Sequence, residues 1–344
     1  MAKYEGALQL TRPHWAGTGA DTDIHLEVFD GDVQVAFGRD SLFQSNQWSH
    51  VVDLQGKSNT HRIEQFGGTA VRSRASGDKL TSSRIVNEKR TVTVERAQYS
   101  RTELDYIDDW TAPDRSQQIA LAHGRAHALT YDRFHLKALI HASKHTVDAS
   151  LKRYNEFYDG IRHDITGWDA ANDANTADAF IRSVYEMREE MTYRDMDVYS
   201  NEFVLLVRPS LFRVLFESDK LTNMLYGAGQ AGNNYISAQM AELAGYNIVS
   251  TATFPRATGA IVADETNEFG ADWEFDEDDV RTQAILFHTP SALTTVWAHA
   301  FVTEAWQDKN NHKNVLDTYA MYLPFTRRSD GVAALLAPEP DTGP

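Results

Sequence analysis

The sequence predicts an α+β fold. Three observations carry that reading. One helical pattern is far longer than the usual globular helix. Short alternating β runs cluster before and after it instead of trading places with helices throughout. A polar, basic segment in the first third has the makings of a long two-stranded hairpin.

Taken in order, residues 1–50 read as an irregular arm, with Gly17, Gly19, Asp21 and Asp23 marking turns. Within it, Ile24–Phe29 (IHLEVF) alternates as a strand would, and 33–37 (VQVAF) extends that strand or starts a short helix. His61–Arg74 and Arg90–Arg96 are strand-like runs joined by a polar, glycine-marked stretch, and together they predict an extended hairpin. Large apolar side chains are few in it, and an isolated hairpin is marginal in water. It should therefore rest on something outside its own body.

The strongest helix signal follows. Thr111-Ala112-Pro113-Asp114 combines a capping-type residue, a proline and an acid at a helix start. Ile119, Ala122, Ala126, Leu129, Arg133, Leu136 and Ile140 then recur at 3–4 residue spacing, so the pattern predicts a helix over 114–147. At 1.5 Å per residue it would span roughly 50 Å. Loops and short elements are expected over 148–175, and a second helix over 176–195, with Phe180, Val184, Met187 and Met191 on one face. Phe203–Val207 (FVLLV) reads as a strand stopped by Pro209, and Ser210–Glu217 as a short helix. Tyr235–Ala244 reads as another helix capped by Gly245, and Tyr246–Thr253 and Gly259–Ala263 as strands. The last part is mostly β: Gln283–His288, then Thr294–Trp306 and Val315–Phe325 as a long hairpin. Ser329 is placed to cap a final short helix, Asp330–Leu336, ahead of a polar tail.

Composition narrows function. The 344 residues include no cysteine, which removes disulfide, thiolate-zinc and cysteine-nucleophile chemistry. No stretch approaches the ~20 apolar residues of a membrane span, and the start has no signal-peptide pattern, so a soluble protein without membrane contact is expected. The net charge of −16 disfavours general nucleic-acid binding. Charge is unevenly spread, however. Residues 57–101 hold ten basic and four acidic side chains, a net +6 against −22 for the remainder. A basic segment on an acidic body is suited to contacts between copies.

Four features could suggest an enzyme, and none carries the pattern its chemistry needs. Gly227-Ala228-Gly229-Gln230-Ala231-Gly232 matches G-x-G-x-x-G but lacks the preceding strand and opening helix of a dinucleotide site, and reads as a glycine turn. His123/His127 and His141/His145 have the i, i+4 spacing of helical zinc pairs, yet no Glu follows the first His of either pair to act as general base. Asp272–Asp279 (DWEFDEDD) lacks the spaced oxygens and central glycine of a calcium loop and reads as a solvated acidic loop. No G-x-S-x-G is present. No enzyme activity and no cofactor is expected.

The order of elements resembles the Hong Kong 97-type capsid fold of tailed-bacteriophage major capsid proteins. Local strings agree. Leu26–Val33 with Ala36-Phe37 resembles the arm of short-tailed (podovirus, autographivirus-like) phage capsid proteins. Phe203–Pro209 with Leu211-Phe212, and Gly245–Val249 with Pro255, resemble the axial domain. Ala284–Phe287, Tyr319–Tyr322 and Val332–Leu335 resemble the closing strands and final helix. The resemblance implies an N-terminal arm over 1–50, an extended loop over 51–108, and a peripheral domain over 109–196 and 283–344 that includes a spine helix at 114–147. It places an axial domain at 197–282. It implies self-assembly into hexamers and pentamers of an icosahedral head around double-stranded DNA, held non-specifically. A separate scaffolding protein, a portal protein at one vertex and a possible decoration protein are the implied partners. The location would be the virion, after assembly in the host cytoplasm. Arg72, Arg74, Lys79, Arg84, Lys89 and Arg90 on the extended loop become the candidate subunit-contact residues. Some relatives cross-link a loop lysine to a neighbour's asparagine. Lys79 is the candidate here, but no matching asparagine or carboxylate can be placed, and non-covalent contacts are expected. The alternatives are an encapsulin-like compartment of the same fold and, more remotely, a metal-dependent hydrolase using the helix histidines.

Overall fold

The computed structural model describes residues 23–55, 58–66, 69–82, 85, 87–105, 116–149, 152, 158–169, 172–194, 196, 202–216, 218, 242–255 and 275–338. The chain divides into two compact units. The first comprises 1–61, 93–134 and 295–323, and the second 62–92, 135–294 and 324–344.

In the first unit, α1 (Asp23–Asp40), α2 (Leu42–Asn46) and most of α3 (Ser116–Lys144) accompany a four-stranded sheet. The strand order is β1 (His50–Asp53), β10 (Leu293–Asp308), β11 (Lys313–Thr326), β4 (Gln98–Asp105). The strand expected over Ile24–Phe29 is instead part of α1. The reason is tertiary. Val33, Ala36 and Phe37 are buried at i, i+3, i+4 spacing. They lie where α1 meets Gly124 of α3, and a Cβ on Gly124 would come within 2.6 Å of both the Ala36 Cβ and the Val33 carbonyl oxygen. A six-residue alternation carries less weight than that close approach. Between helix and sheet lie Phe37, Tyr131, Trp297 and Tyr322, with ring centroids 5.1 Å apart for Phe37–Tyr131 and 5.0 Å for Trp297–Tyr322.

Polar groups buried on α3 are each satisfied. Asp132 accepts from Ser41 Oγ at 2.7 Å and from the Leu42 and Phe43 amides at 2.8 and 3.1 Å, so it holds the N-terminus of α2. Burial raises the Asp132 pKa, and those three donors oppose the rise. His123 lies 2.6 Å from Thr102 Oγ1 and 3.1 Å from Thr318 Oγ1, and His127 lies 3.3 Å from the Thr318 carbonyl. Burial lowers both histidines, His127 to about 4.

The second unit holds a six-stranded sheet. Its order is β5 (Ile161–Asp164), β12 (Val332–Leu336), β9 (Thr282–His288), β6 (Phe203–Val207), β8 (Tyr246–Ser250), β7 (Glu242–Leu243). β6 and β12 are buried at every residue, which explains why they read as unbroken apolar runs. α4 (Asp173–Tyr193) lays Phe180, Val184, Met187 and Met191 on this sheet, and α5 (Pro209–Leu215) follows β6 as expected.

Two expectations fail here. Asp330–Leu336 is not a helix, because Val332–Leu336 pairs with β5 on one side and β9 on the other. Five apolar residues cannot distinguish a buried strand from a helix by periodicity, and the ladder decides. Gly245 does not cap a helix. Ala244 (φ 55°) and Gly245 (φ 83°) form the two-residue turn joining β7 to β8, where both positions need positive φ. Most of the helix expected over 235–244, the strand at 259–263 and the cap at 111–114 lie outside the described residues.

The acidic run is not a solvated loop where it is described. Asp276 and Asp279 form a reciprocal cap on α6 (Glu277–Val280). Lys137 and Lys144, both on α3, reach into it: Lys137 Nζ to Asp279 at 2.5 Å, and Lys144 Nζ to Asp279 at 2.6 Å and Asp276 at 2.9 Å. Arg162 and Arg281 hold Asp278. Partial burial works against ionisation of Asp276, but the Lys144 hydrogen bond and charge dominate and hold it down at about 2. Residues 272–274 lie outside the described set.

These contacts set three expected outcomes. Gly124→Ala should destabilise the purified chain by about 1–3 kcal/mol through the α1 clash, although Ala in an ordinary helix would gain about 1 kcal/mol. Chemical denaturation reads the sign. Asp279→Ala should cost about 3–5 kcal/mol, because Lys137 is left buried without its counter-ion, whereas Lys137→Met with Asp279→Leu should cost less. Thermal melting of the three chains checks the order. The third outcome concerns pH. The unfolded chain protonates His127 near 6.5, while the folded chain resists to about 4. Stability is therefore full above about pH 6.5 and falls as pH drops towards 4, with His127 contributing about 3 kcal/mol. Melts from pH 7.5 to 4.5 should be measurably flatter for His127→Gln than for the parent.

Candidate functional site

β2 (Thr60–Phe66) and β3 (Asn87–Thr93) form a two-stranded sheet of their own. The base of this hairpin is anchored. Ile63, Gln65 and Val92 are buried, and Gln65 Nε2 donates to the Arg327 carbonyl at 2.6 Å. Beyond Phe66 regular pairing stops, so the first strand is shorter than the His61–Arg74 run expected. Residues 71–82 are all exposed.

The tip is nevertheless ordered by local chemistry. Gly77 takes φ +95°, a conformation that favours glycine. The Asp78 carboxylate accepts from the Ala75 amide at 3.1 Å, and the Asp78 amide donates to the Ala75 carbonyl at 3.2 Å. Arg74 Nη1 closes the turn on the Asp78 carbonyl at 3.0 Å.

The candidate contact residues divide by what they already hold. Arg74 is engaged in the tip turn. Lys89 bridges to Glu64 across the hairpin at 3.3 Å, and Arg90 donates to Glu88 at 3.3 Å. Arg72 and Lys79 are exposed and have no ion-pair partner among the described residues. Arg84 lies outside the described residues. The charge reading missed the apolar half of this surface: Phe66, Val71, Leu80 and Ile85 are exposed, Val71 completely and Leu80 at 83%. The signal was available as isolated apolar residues in a segment with no body to bury them.

The chemical candidates resolve differently. His123 and His127 are engaged with Thr102 and Thr318 in the helix–sheet layer, and His141 is exposed while His145 is half-buried. Among the described residues no group of three His, Cys, Asp or Glu is placed to hold a metal ion, and no helix is long and apolar enough to cross a membrane. Gly227–Gly232 lies outside the described residues. What the described surface offers is an extended, half-basic, half-apolar arm suited to burial against another body.

No protein-family model and no curated protein sequence matches the chain. Solved structures do. The mature capsid of bacteriophage PhiM1 matches at 35% identity and TM-score 0.77, covering 95% of this chain and 96% of that one. The capsid of cyanophage P-SCSP1u matches at 16% identity and TM-score 0.67 over 85% and 87% of the two chains. Mycobacterium phage Che8 matches at 15% identity and TM-score 0.56 over 86% and 88%. The two more distant likenesses speak to fold alone. At 35% identity over nearly the whole of both chains, the PhiM1 likeness speaks to family as well. The chain belongs to the tailed-bacteriophage major capsid proteins of the Hong Kong 97-type fold.

Proposed function

We propose that this chain builds the shell of an icosahedral phage head as hexamers and pentamers enclosing double-stranded DNA, and that the 60–93 hairpin is the arm by which each copy grips its neighbour. The observation that carries this is the hairpin's exposed surface. Val71 and Leu80 stand in water beside Arg72 and Lys79, which have no ion-pair partner among the described residues. Such a surface gains stability when an acidic neighbour covers it. The remainder of the chain carries the complementary charge, −22 against +6 for residues 57–101.

On this reading the chain is structural and not catalytic. Residues 1–50 form the arm, 51–108 the extended loop, 109–196 with 283–344 the peripheral domain, and 197–282 the axial domain. A separate scaffolding protein, a portal protein at one vertex and assembly in the host cytoplasm go with this reading. A negative body meets packaged phosphates weakly, which lets the genome move. The short-tailed phage subtype is supported by the arm strings Leu26–Val33 and Ala36-Phe37. An encapsulin-like compartment shares the fold, and a virus-like particle from Pyrococcus furiosus matches at 10% identity. Identity that low bears on fold only.

The test is co-expression in bacteria with and without the neighbouring scaffolding gene, followed by sedimentation and electron imaging. Closed shells or capsomers are expected, and a monomer or dimer under both conditions overturns the proposal. Nucleic acid, as opposed to protein cargo, inside purified particles separates a phage head from a compartment. Arg72→Glu combined with Lys79→Glu should abolish or slow shell formation while leaving thermal melting of the subunit unchanged. Normal yields of particles from that variant would remove the hairpin from the contact.

A further inference from the structure

The two ends of α3 are anchored by different chemistry. Carboxylates hold its C-terminal end: Lys137 and Lys144 reach Asp279, and Lys144 also reaches Asp276. Two buried rings hold its N-terminal end. His123 and His127 stand one turn apart on the side that meets the four-stranded sheet, with only 3% and 4% of their surface exposed. His123 Nε2 lies 2.6 Å from Thr102 Oγ1 of β4, and His123 Nδ1 lies 3.1 Å from Thr318 Oγ1 of β11. His127 Nε2 lies 3.3 Å from the Thr318 carbonyl, which only accepts, so the neutral ring carries its proton on Nε2. The same ring meets Phe301 of β10 edge-on, with centroids 5.1 Å apart.

A second proton on His127 arrives at Nδ1. Among the described residues no carboxylate lies within hydrogen-bonding distance of that ring. The ionisable groups of the elements packed here are engaged elsewhere. On α1, Asp40 is shared by Arg39 and Arg125, and Asp32 is half-buried. On β4 and β11, Arg101 pairs with Asp317 and Glu103 with Lys313. These project from the face opposite Thr102 and Thr318. On β10, Glu304 accepts from Tyr319, His299 Nδ1 lies by the Ala300 carbonyl, and Asp308 caps the turn to β11. Burial keeps Tyr131 and Tyr322 protonated, and Asp132 is turned to the N-terminus of α2. Burial lowers His123 more than the Asp317 charge raises it.

We propose that α3 is an acid-responsive joint: protonation of His127 and His123 releases residues 116–134 from β4, β10 and β11, while Lys137 and Lys144 keep the C-terminal end of the helix on Asp276 and Asp279. The joint lies within one copy and does not depend on the shell reading. An opened segment takes up a proton on each ring near 6.5, whereas the closed segment resists to about 4 at His127. Opening is therefore suppressed above about pH 6.5 and increasingly favoured as pH falls towards 4. At pH 4.5 His127 alone should raise the open population roughly 50–100-fold, and His123 acts in the same direction. The other anchor persists, because Asp276 is held down at about 2. Burial and Arg90 also lower His145, near that end of the chain segment, but Glu88 and Asp159 oppose the shift and offer its proton partners.

Hydrogen exchange on the purified full-length chain at pH 7.5 and 4.5, corrected for intrinsic exchange rates, reads the opening segment by segment. Protection of 98–105, 117–131 and 313–320 should fall about tenfold or more, and that of 203–207, 284–287 and 332–336 should stay within about threefold. His123→Gln combined with His127→Gln should remove the pH dependence. His135→Gln, at the next buried histidine of α3, should leave it in place. Unchanged protection at pH 4.5, equal loss in both sheets, or a dependence that survives the double substitution overturns the joint. NMR of the parent chain with 13C-labelled histidine rings needs no variant. Two rings that resist protonation well below pH 6 support the joint, and a native chain in which every ring titrates near 6.5 overturns it.

Discussion

A charge buried in protein must be paired, and the long helix α3 (Ser116–Lys144) is organised around that constraint. Its buried side carries His123, His127, Asp132 and Lys137 among apolar residues. Each has a partner supplied by a segment distant in sequence: Thr102 and Thr318, the backbone of β11, the N-terminus of α2, and the Asp279 carboxylate. An apolar stripe alone would let the helix slide or rotate at little cost. Four polar appointments on one helix fix its register against every element that meets it, because each misplacement strands a desolvated group. Residues 116–134 belong to one compact unit and 135–144 to the other.

The same logic, run in reverse, marks where the single chain is unfinished. The buried polar groups of α3 are paired, yet the 60–93 hairpin holds apolar side chains and cations in water. Its order comes from a buried base and a self-contained tip turn, not from packing along its length. On the proposed reading, that construction makes an arm whose shape exists before its partner arrives, which would lower the entropy lost on docking.

How much of this was legible in the sequence can be argued residue by residue. β6 was readable as Phe203–Val207 because its aromatic and β-branched residues, its length and the proline that soon follows favour a strand over a helix. The α3 pattern was readable because its spacing persists for many turns. The basic hairpin was readable from charge, which needs no three-dimensional information. Its apolar residues were not, since Val71 and Leu80 become informative only when nothing is found to cover them. β4 went unread because QYSRTELD is polar on one side and small on the other, and only its pairing with β11 makes it a strand. The acidic run misled for a related reason: composition suggested a solvated loop, while Lys137 and Lys144 lie well over a hundred residues earlier in the chain.

The sequence by itself determined the long helix and the closing hairpin, the resemblance that points to the family, the lack of thiol chemistry and the placement of opposite charge on the hairpin and the rest of the chain. Those properties are local or additive, and a chain carries them whatever its shape. Tertiary structure decided α1 over a strand, β12 over a helix and a hairpin turn at Ala244-Gly245 over a helix cap. In each case the local pattern was short enough to suit either state. The choice fell to a contact from elsewhere: the Cβ-free approach at Gly124, strand ladders on both sides of Val332–Leu336, and the β7–β8 pairing. Short segments hold too little free energy of their own to choose a conformation, so the partner that buries them chooses it.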